Sequence, residues 1–203
     1  MAITPVNDNN PVITSNGSGA TAAISIAENS TAVTIVTATD ADLPTQTLTY
    51  SISGGADAGL FAIDGLTGAL SFFSAPNRES PSDSNGDNVY LVTVQASDGT
   101  LTDTQALSIT ATDVNEFDVG VVTDTNGATN SVNENAANGT SVGITASASD
   151  ADATNNAITY SLDDNAGGRF AIDIVTGVVT VADGTLVDYE TATSHEVSIA
   201  VQD

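Results

Sequence analysis

Two aspartate pairs, Asp40-Ala41-Asp42 and Asp150-Ala151-Asp152, are spaced by one residue and sit in matching surroundings, Thr-Asp-Ala-Asp and Ser-Asp-Ala-Asp. In an extended turn, that spacing can aim two carboxylates at one point. Such a cluster repels itself unless a cation sits in it. An all-oxygen donor set suits calcium, which takes roughly six to eight oxygens at about 2.3–2.6 Å from carboxylates, carbonyls and water. Single turn aspartates are ordinary, because Asp favours loops. Recurrence is what raises these above turn chemistry. A glutamate recurs in the same way, in Ala27-Glu28-Asn29-Ser30 and Asn133-Glu134-Asn135-Ala136.

Other candidate chemistries fare worse. Asp83-x-Asn85-x-Asp87 begins like an EF-hand loop but lacks the following Gly and carries Val94 at the twelfth position, so it reads as a solvated turn. His195, the single histidine, occupies the slot before Asp203 that Tyr90 fills before Asp98. It is expected as an aromatic packing or rim residue. No nucleophile elbow or phosphate loop is present, and the paired acids fall at predicted domain ends, so no enzyme is expected. Asp64-x-x-Thr67-Gly68 and Asp173-x-x-Thr176-Gly177 read as hairpin turns. Arg78 is expected to point away from Asn77 and Glu79 by strand alternation.

The elements that must position the acids follow from repetition. Besides the pairs above, Leu48-Thr49-Tyr50-Ser51-Ile52 recurs as Ile158-Thr159-Tyr160-Ser161-Leu162, and Phe61-Ala62-Ile63-Asp64 as Phe170-Ala171-Ile172-Asp173. The period is a whole domain. Within each unit the apolar period is two, as in Ile24/Ile26, Val33/Ile35, Leu70/Phe72, Val92/Val94 and Leu107/Ile109, with turn residues between. This predicts an all-β chain of two tandem antiparallel Greek-key β-sandwich domains. The expected boundaries are an upstream linker at 1–10, a first repeat at 11–112, a linker at 113–117 and a second repeat at 118–203. The second is expected to lack its last strand, because Asp203 matches Asp98, after which the first unit continues with a strand near 102–110.

Composition narrows the function further. The 203 residues hold 2 Lys+Arg against 26 Asp+Glu, a formal charge of -24. Polyanions are repelled, which argues against nucleic acid and anionic membrane surfaces. No Cys is present, so disulfides and Cys-based zinc sites are excluded. No apolar run approaches the roughly 20 residues that span a bilayer, so no direct membrane insertion is expected of this segment. The first residues lack the pattern of a secretory leader, so the segment is expected to be an internal piece of a larger exported, cell-surface protein.

Glu28-Asn29, Asn77-Arg78-Glu79, Asp113-Val114-Asn115-Glu116, Asp150-Ala151-Asp152 and the closing Asp203 are similar, in order and spacing, to the motifs of cadherin repeats. The composition, with Val6-Asn7-Asp8-Asn9-Asn10-Pro11, most resembles repeats of large bacterial surface proteins of the adhesin type. The resemblance implies calcium as cofactor and three sets of ligands. A junction set would comprise Glu28, Asn77, Glu79, Asp113, the Asn115 carbonyl, Glu116, Asp150, Asp152, the Asn155 carbonyl and Asp203. An upstream half-site would hold Asp8, Asn9, Asp40, Asp42 and Asp98. A downstream half-site would hold Glu134, Asp188 and Glu190. Three departures weaken the pattern: Asn77 where the family has Asp, Glu116-Phe117 where it has Asp-Asn, and Pro5 for the first linker Asp. Two junction ions are expected in place of the family's three. The resemblance further implies an extracellular module that rigidifies a multi-repeat protein and serves cell adhesion. Its partners would be calcium ions, neighbouring repeats and other cell-surface proteins, with homophilic adhesion among the options. The alternative is a calcium-dependent carbohydrate-binding module taking polysaccharide, although a chain with no Trp and nine aromatics offers little for stacking on sugars.

Overall fold

A computed structural model describes residues 1–152 and 157–203. The chain divides into two compact units, Met1–Val114 and Asn115–Asp203. In unit 1 the strands are β1 (Val12–Ile13), β2 (Thr21–Ala27), β3 (Ala32–Ile35), β4 (Ala38–Thr39), β5 (Thr49–Gly54), β6 (Phe61–Ile63), β7 (Ala69–Phe72), β8 (Val89–Ser97) and β9 (Thr102–Thr112). Unit 2 has β10 (Thr123–Asp124), β11 (Ser141–Ser147), β12 (Thr159–Asp164), β13 (Phe170–Ile172), β14 (Val178–Val181) and β15 (Ser198–Gln202). The expected all-β, two-sandwich architecture is what forms. Among the described residues no helix is long and apolar enough to cross a membrane.

Unit 1 is a sandwich because alternate side chains of two sheets meet in one core. One sheet runs β2-β9-β8-β5 and the other β3-β7-β6, with β1 and β4 paired at the side. Tyr90, Val92, Val94 and Ala96 face inward from β8, and Leu107, Ile109 and Ala111 from β9. They meet Leu70 and Phe72 of β7 and Phe61 of β6. Phe72 stacks tilted on Phe61 at 4.2 Å and meets Tyr90 edge-on at 5.0 Å. Each such side chain, once buried, contributes about 1.5–3 kcal/mol through the water it sheds. One pairing departs from the antiparallel expectation: β2 runs parallel to β9, from Thr21 opposite Ala106 to Ala27 opposite Thr112. A long excursion through both sheets separates these strands, which is what a parallel neighbour requires.

Unit 2 repeats the pattern with a thinner interior. Its sheets run β10-β11-β14-β13 and β12-β15. Among the described residues, Val142, Phe170, Val179, Val181 and Val187 form its buried cluster, with Ala146 and Tyr160 buried apart from it, against a cluster of twelve in unit 1. Residues 127–133, the counterpart of β2, are not in a strand.

The two Thr-Gly hairpins show how sequence sets local geometry. Asp64 Oδ1 accepts from the N–H groups of Leu66 and Thr67 at 2.9 and 2.8 Å, and Asp173 Oδ1 does so from Val175 and Thr176 at 3.0 and 2.7 Å. The glycines that follow take φ of +71° at Gly68 and +68° at Gly177. A Cβ there would collide with the carbonyl oxygen of Val36 or Ala146, both of which accept no side chain at such range. Only glycine serves. In both units a tyrosine hydroxyl accepts a backbone N–H from twelve residues earlier, Tyr50 from Ala38 of β4 at 3.1 Å and Tyr160 from Ala148 just after β11 at 3.2 Å.

Two local expectations need correction. Residues 77–79 lie outside any strand, so alternation does not orient Arg78; its guanidinium reaches the Ala111 carbonyl at 2.7 Å. The 83–87 segment is no solvated turn at its first residue. Asp83 is 8 % exposed and accepts from the N–H groups of Asp87 and Asn88, while the equally buried Asp57 accepts from those of Ser84 and Leu91. Buried carboxylates satisfied by four backbone donors fold this insertion back onto the sheet.

Candidate metal centre

At one end of unit 2, Asp150 and Asp152 follow β11 and Asp203 follows β15. One carboxylate oxygen from each lies within 4.8 Å of the others. The one-residue spacing works as a self-orienting turn, because the Asp152 N–H donates to Asp150 Oδ1 at 2.8 Å. Asp152 is 2 % exposed and is clasped by the N–H groups of Glu116 and Phe117, each at 3.3 Å. Asn115 donates its side-chain amide to Asp203 at 2.8 Å, and this bond holds the Asp203 carboxyl below its ordinary pKa. Asp150 Oδ2 is buried with no hydrogen-bond partner.

Unit 1 builds the same frame. The Asp42 N–H donates to Asp40 Oδ1 at 2.8 Å, and Asp42 is 6 % exposed. The N–H groups of Asp8 and Asn9 reach Asp42 Oδ2 at 3.1 and 2.9 Å, while Asn9 Nδ2 reaches Oδ1 at 2.6 Å. The Asn9 side-chain amide, followed by its backbone N–H, lowers the Asp42 pKa. The Leu101 N–H does the same for Asp98, against desolvation and the like charge of Asp42. Asp40 Oδ2 is again buried without a partner. Asn7, absent from the sequence-derived set, donates its amide to both Asp42 and Asp98 at 3.1 Å when oriented by its surroundings. Aligning Val6-Asn7-Asp8 with Val114-Asn115-Glu116 shows the missed signal, since Asn115 does the same job for Asp203.

The glutamate motif has its own mechanism. Asn29 and Asn135, each following a glutamate, take left-handed φ values of +59° and +51°, a conformation Asn tolerates. The chain turns there, and the glutamate reaches a neighbouring loop. Glu28, 2 % exposed, accepts from the N–H of Arg78 and, at 3.0 Å, from that of Val114. Glu134 accepts from the N–H of Tyr189, the residue matching Arg78, at 3.2 Å. In each case the glutamate grips the residue next to a second acid. Oxygens of Glu28 and Glu79 accordingly lie within 4.8 Å, as do those of Glu134, Asp188 and Glu190. Asn77 turns its Oδ1 to the Ser80 N–H at 2.7 Å and so serves its own loop. Asp113 is half-buried just beyond β9, and Glu116 is exposed. Asn155 falls outside the described residues.

In the downstream cluster the acids feel one another. Thr191 and then Glu190 hydrogen-bond Asp188 and lower its pKa; Glu190 is lowered by its own backbone N–H but raised on balance by Asp188 and Glu134. Adjacent carboxylates with opposite shifts are what mutual repulsion produces when no cation intervenes. The donor sets contain oxygen only, which fits a hard cation such as calcium. His195 takes no part in them: half-buried, it meets Phe170 edge-on at 6.2 Å, in the aromatic slot expected of it.

The chain matches the model of the Cadherin domain over residues 22–114 and 129–203. It is 32 % identical to human Protocadherin Fat 1 over 208 residues and 33 % identical to mouse Cadherin EGF LAG seven-pass G-type receptor 2 over 207. Each alignment takes in all of this chain but only 4 % and 7 % of the relative, so the chain spans a small part of those proteins. Among solved structures, Protocadherin Gamma B2 extracellular cadherin domains 3-6 superpose with a TM-score of 0.76 at 23 % identity, covering 99 % of this chain and 50 % of that one. Mouse Cadherin-23 EC22-24 gives 0.53 at 30 %, covering 89 % and 56 %. These relatives are animal proteins, and they lend no support to the bacterial origin expected from composition.

Proposed function

This chain belongs to the cadherin family, and from that premise we propose that it binds calcium at the ends of its units and stiffens a longer extracellular adhesion protein. The observation that carries the reading is duplicated: Asp40 and Asp150 each keep one carboxylate oxygen buried with no donor. A desolvated, unpaired carboxylate oxygen costs about 1–3 kcal/mol or more. A divalent ion removes that cost, and the surrounding N–H groups already hold the neighbouring acids in place.

The junction ligands would be Glu28, Glu79 and Asp113 with Glu116, Asp150, Asp152 and Asp203. Asp8, Asp40, Asp42 and Asp98 would serve an upstream site, and Glu134, Asp188 and Glu190 a downstream one. Asn7, Asn9 and Asn115 act as orienting donors to the acids. Ions shared by consecutive repeats would restrict their swing and turn a flexible string into a rod. At a dissociation constant of about 10⁻⁴–10⁻³ M, millimolar calcium contributes roughly 0.4–1.4 kcal/mol per site. That is small per ion but sufficient to bias a hinge. Cell adhesion, through contacts with other cell-surface proteins or with copies of itself, is the proposed role of the parent protein. Neither the fold nor the relatives support the polysaccharide alternative.

Calorimetry of calcium into the chain tests the assignment. Saturable uptake is expected, with Asp150→Ala and Asp152→Ala each removing binding while the sites in unit 1 persist. Unchanged stoichiometry in both variants would refute it.

A further inference from the structure

The outer face of the β2-β9-β8-β5 sheet in unit 1 plays no part in the calcium reading. It is formed by the residues that alternate with the core positions: Thr21, Ala23 and Ser25 of β2, Ala106, Ser108 and Thr110 of β9, Leu91, Thr93 and Gln95 of β8, and Ser51 and Ser53 of β5. None of these is charged. Unit 1 carries twelve acids, and Asp103 alone lies within a strand, where it accepts from the Ile13 N–H at 2.8 Å.

The fold does not require this neutrality. Unit 2 builds the corresponding strands with Asp163 exposed at the place of Ser53 and Glu196 exposed at the place of Leu91. In unit 1 that last position holds a leucine, 44 % exposed. Its backbone is fixed without help from its side chain: the N–H donates to Asp57 Oδ2 at 2.8 Å, and the carbonyl accepts from the Asp57 N–H at 3.0 Å. Beside Leu91 lies a hollow of about 370 Å³, bordered by Thr21, Gly55, Thr93, Ala106 and Ser108. Across the sheet Leu91 is in register with Ser108 and Ala23, and Thr93 with Ala106 and Thr21, so small side chains surround a large one.

A knob and a hole on one face are what a two-fold contact between identical surfaces needs, because each knob can enter the other copy's hole. Charge selects the same occupant. A basic partner is drawn to acidic loops, whereas an uncharged face serves approach by a molecule as acidic as this one. The chain itself, with 2 Lys+Arg against 26 Asp+Glu, is such a molecule. At roughly 30 Å along β8 and about 15 Å across four strands, each copy offers roughly 450 Å², against about 800 Å² in a standard interface. The contact is weak alone and gains from repetition on linked modules.

We propose that this face of unit 1 is a self-association surface, on which two copies of the chain pack about a two-fold axis with each Leu91 seated in the other's hollow beside Ala106 and Ser108. The proposal rests on the adhesive reading for its role, but no calcium ligand takes part in the contact.

The test is sedimentation velocity of the 203-residue chain over a concentration series in chelator and moderate salt, with amide chemical shifts mapped in parallel. Reversible dimerisation is expected, with the shift changes concentrated on β8, β9 and β2. Leu91→Glu, which copies unit 2, should weaken it at least about tenfold by placing an acid in the contact, without moving the unfolding transition of unit 1. Ser108→Arg should weaken it likewise. An equal mixture of the two variants should associate more tightly than either alone, since each new charge then meets its opposite, and this rescue requires both to be folded. Leu66→Glu, the same change at a hairpin tip that is 76 % exposed, should leave dimerisation intact. A monomer at every concentration, an unaffected Leu91→Glu, equal loss with Leu66→Glu, or shift changes confined to other surfaces each overturn the proposal. Dimerisation that persists where calorimetry shows no calcium uptake supports it and strikes the calcium reading alone.

Discussion

The two units carry the same acidic loops on very different interiors. Among the described residues, unit 1 buries twelve apolar side chains, whereas unit 2 buries seven, five of them clustered beside a cavity. Yet Asp42 and Asp152 are both clasped by two successive backbone N–H groups, and Glu28 and Glu134 both grip the N–H of the residue just before a second glutamate. The acids are therefore held by backbone donors from loops 33 to 55 residues away in the sequence, and the same clasp recurs over both interiors.

That contrast breaks first at the aromatic core. Phe72→Ala removes a ring held between Phe61 and Tyr90 and should cost about 3–5 kcal/mol, as large-to-small changes in a well-packed core do. Phe170→Ala, at 9 % exposure against the cavity, has fewer neighbours to forfeit and should cost less than half as much. Urea unfolding should show two transitions, unit 2 melting first, with each substitution moving only its own. Equal penalties would mean that the thinner core is as tightly packed as the other, and the comparison would fail.

The hairpin glycines sharpen it from the opposite side. Gly68→Ala and Gly177→Ala place a side chain in left-handed backbone against a carbonyl oxygen. The conformational part alone costs roughly 1–2 kcal/mol. Because the geometry is duplicated, the two losses should agree within about 0.5 kcal/mol, in contrast to the phenylalanines. A large difference would show that the turns depend on the core after all.

What could be read from sequence divides along the same line. Period-two alternation and Asp-x-x-Thr-Gly turns are local, so the strands and hairpins were visible. The parallel pairing of β2 with β9 was not, because no local signal reports which strands meet across some eighty intervening residues. Asp57 and Asp83 were missed because each is satisfied by donors from distant or looped backbone, which no spacing rule announces. Asn7 escapes a ligand pattern for a different reason: it donates to the acids and supplies no oxygen of its own to an ion.

The smallest expected effect concerns protons. Asp42, Asp203, Asp64 and Asp173 all have folded pKa values below their ordinary ones, Asp42 through Asn9, Asp203 through Asn115, and the turn aspartates through Thr67 and Thr176. A lowered carboxylate stabilises the fold fully above its unfolded pKa, about 3.9 for Asp, and that stability is lost as pH falls through the folded value. Glu190 acts in the other sense. Its raised pKa favours the protonated form in the folded state, so raising the pH past its folded value removes stability until a cation neutralises its neighbours. In chelator, melting temperature should therefore climb as pH rises from below the folded aspartate values to above the unfolded one, then slip slightly in unit 2. Glu190→Gln should abolish that slip, and so should calcium, while unit 1 stays flat. A decline of equal size in unit 1 would place the repulsion elsewhere and remove the last distinction between the two units.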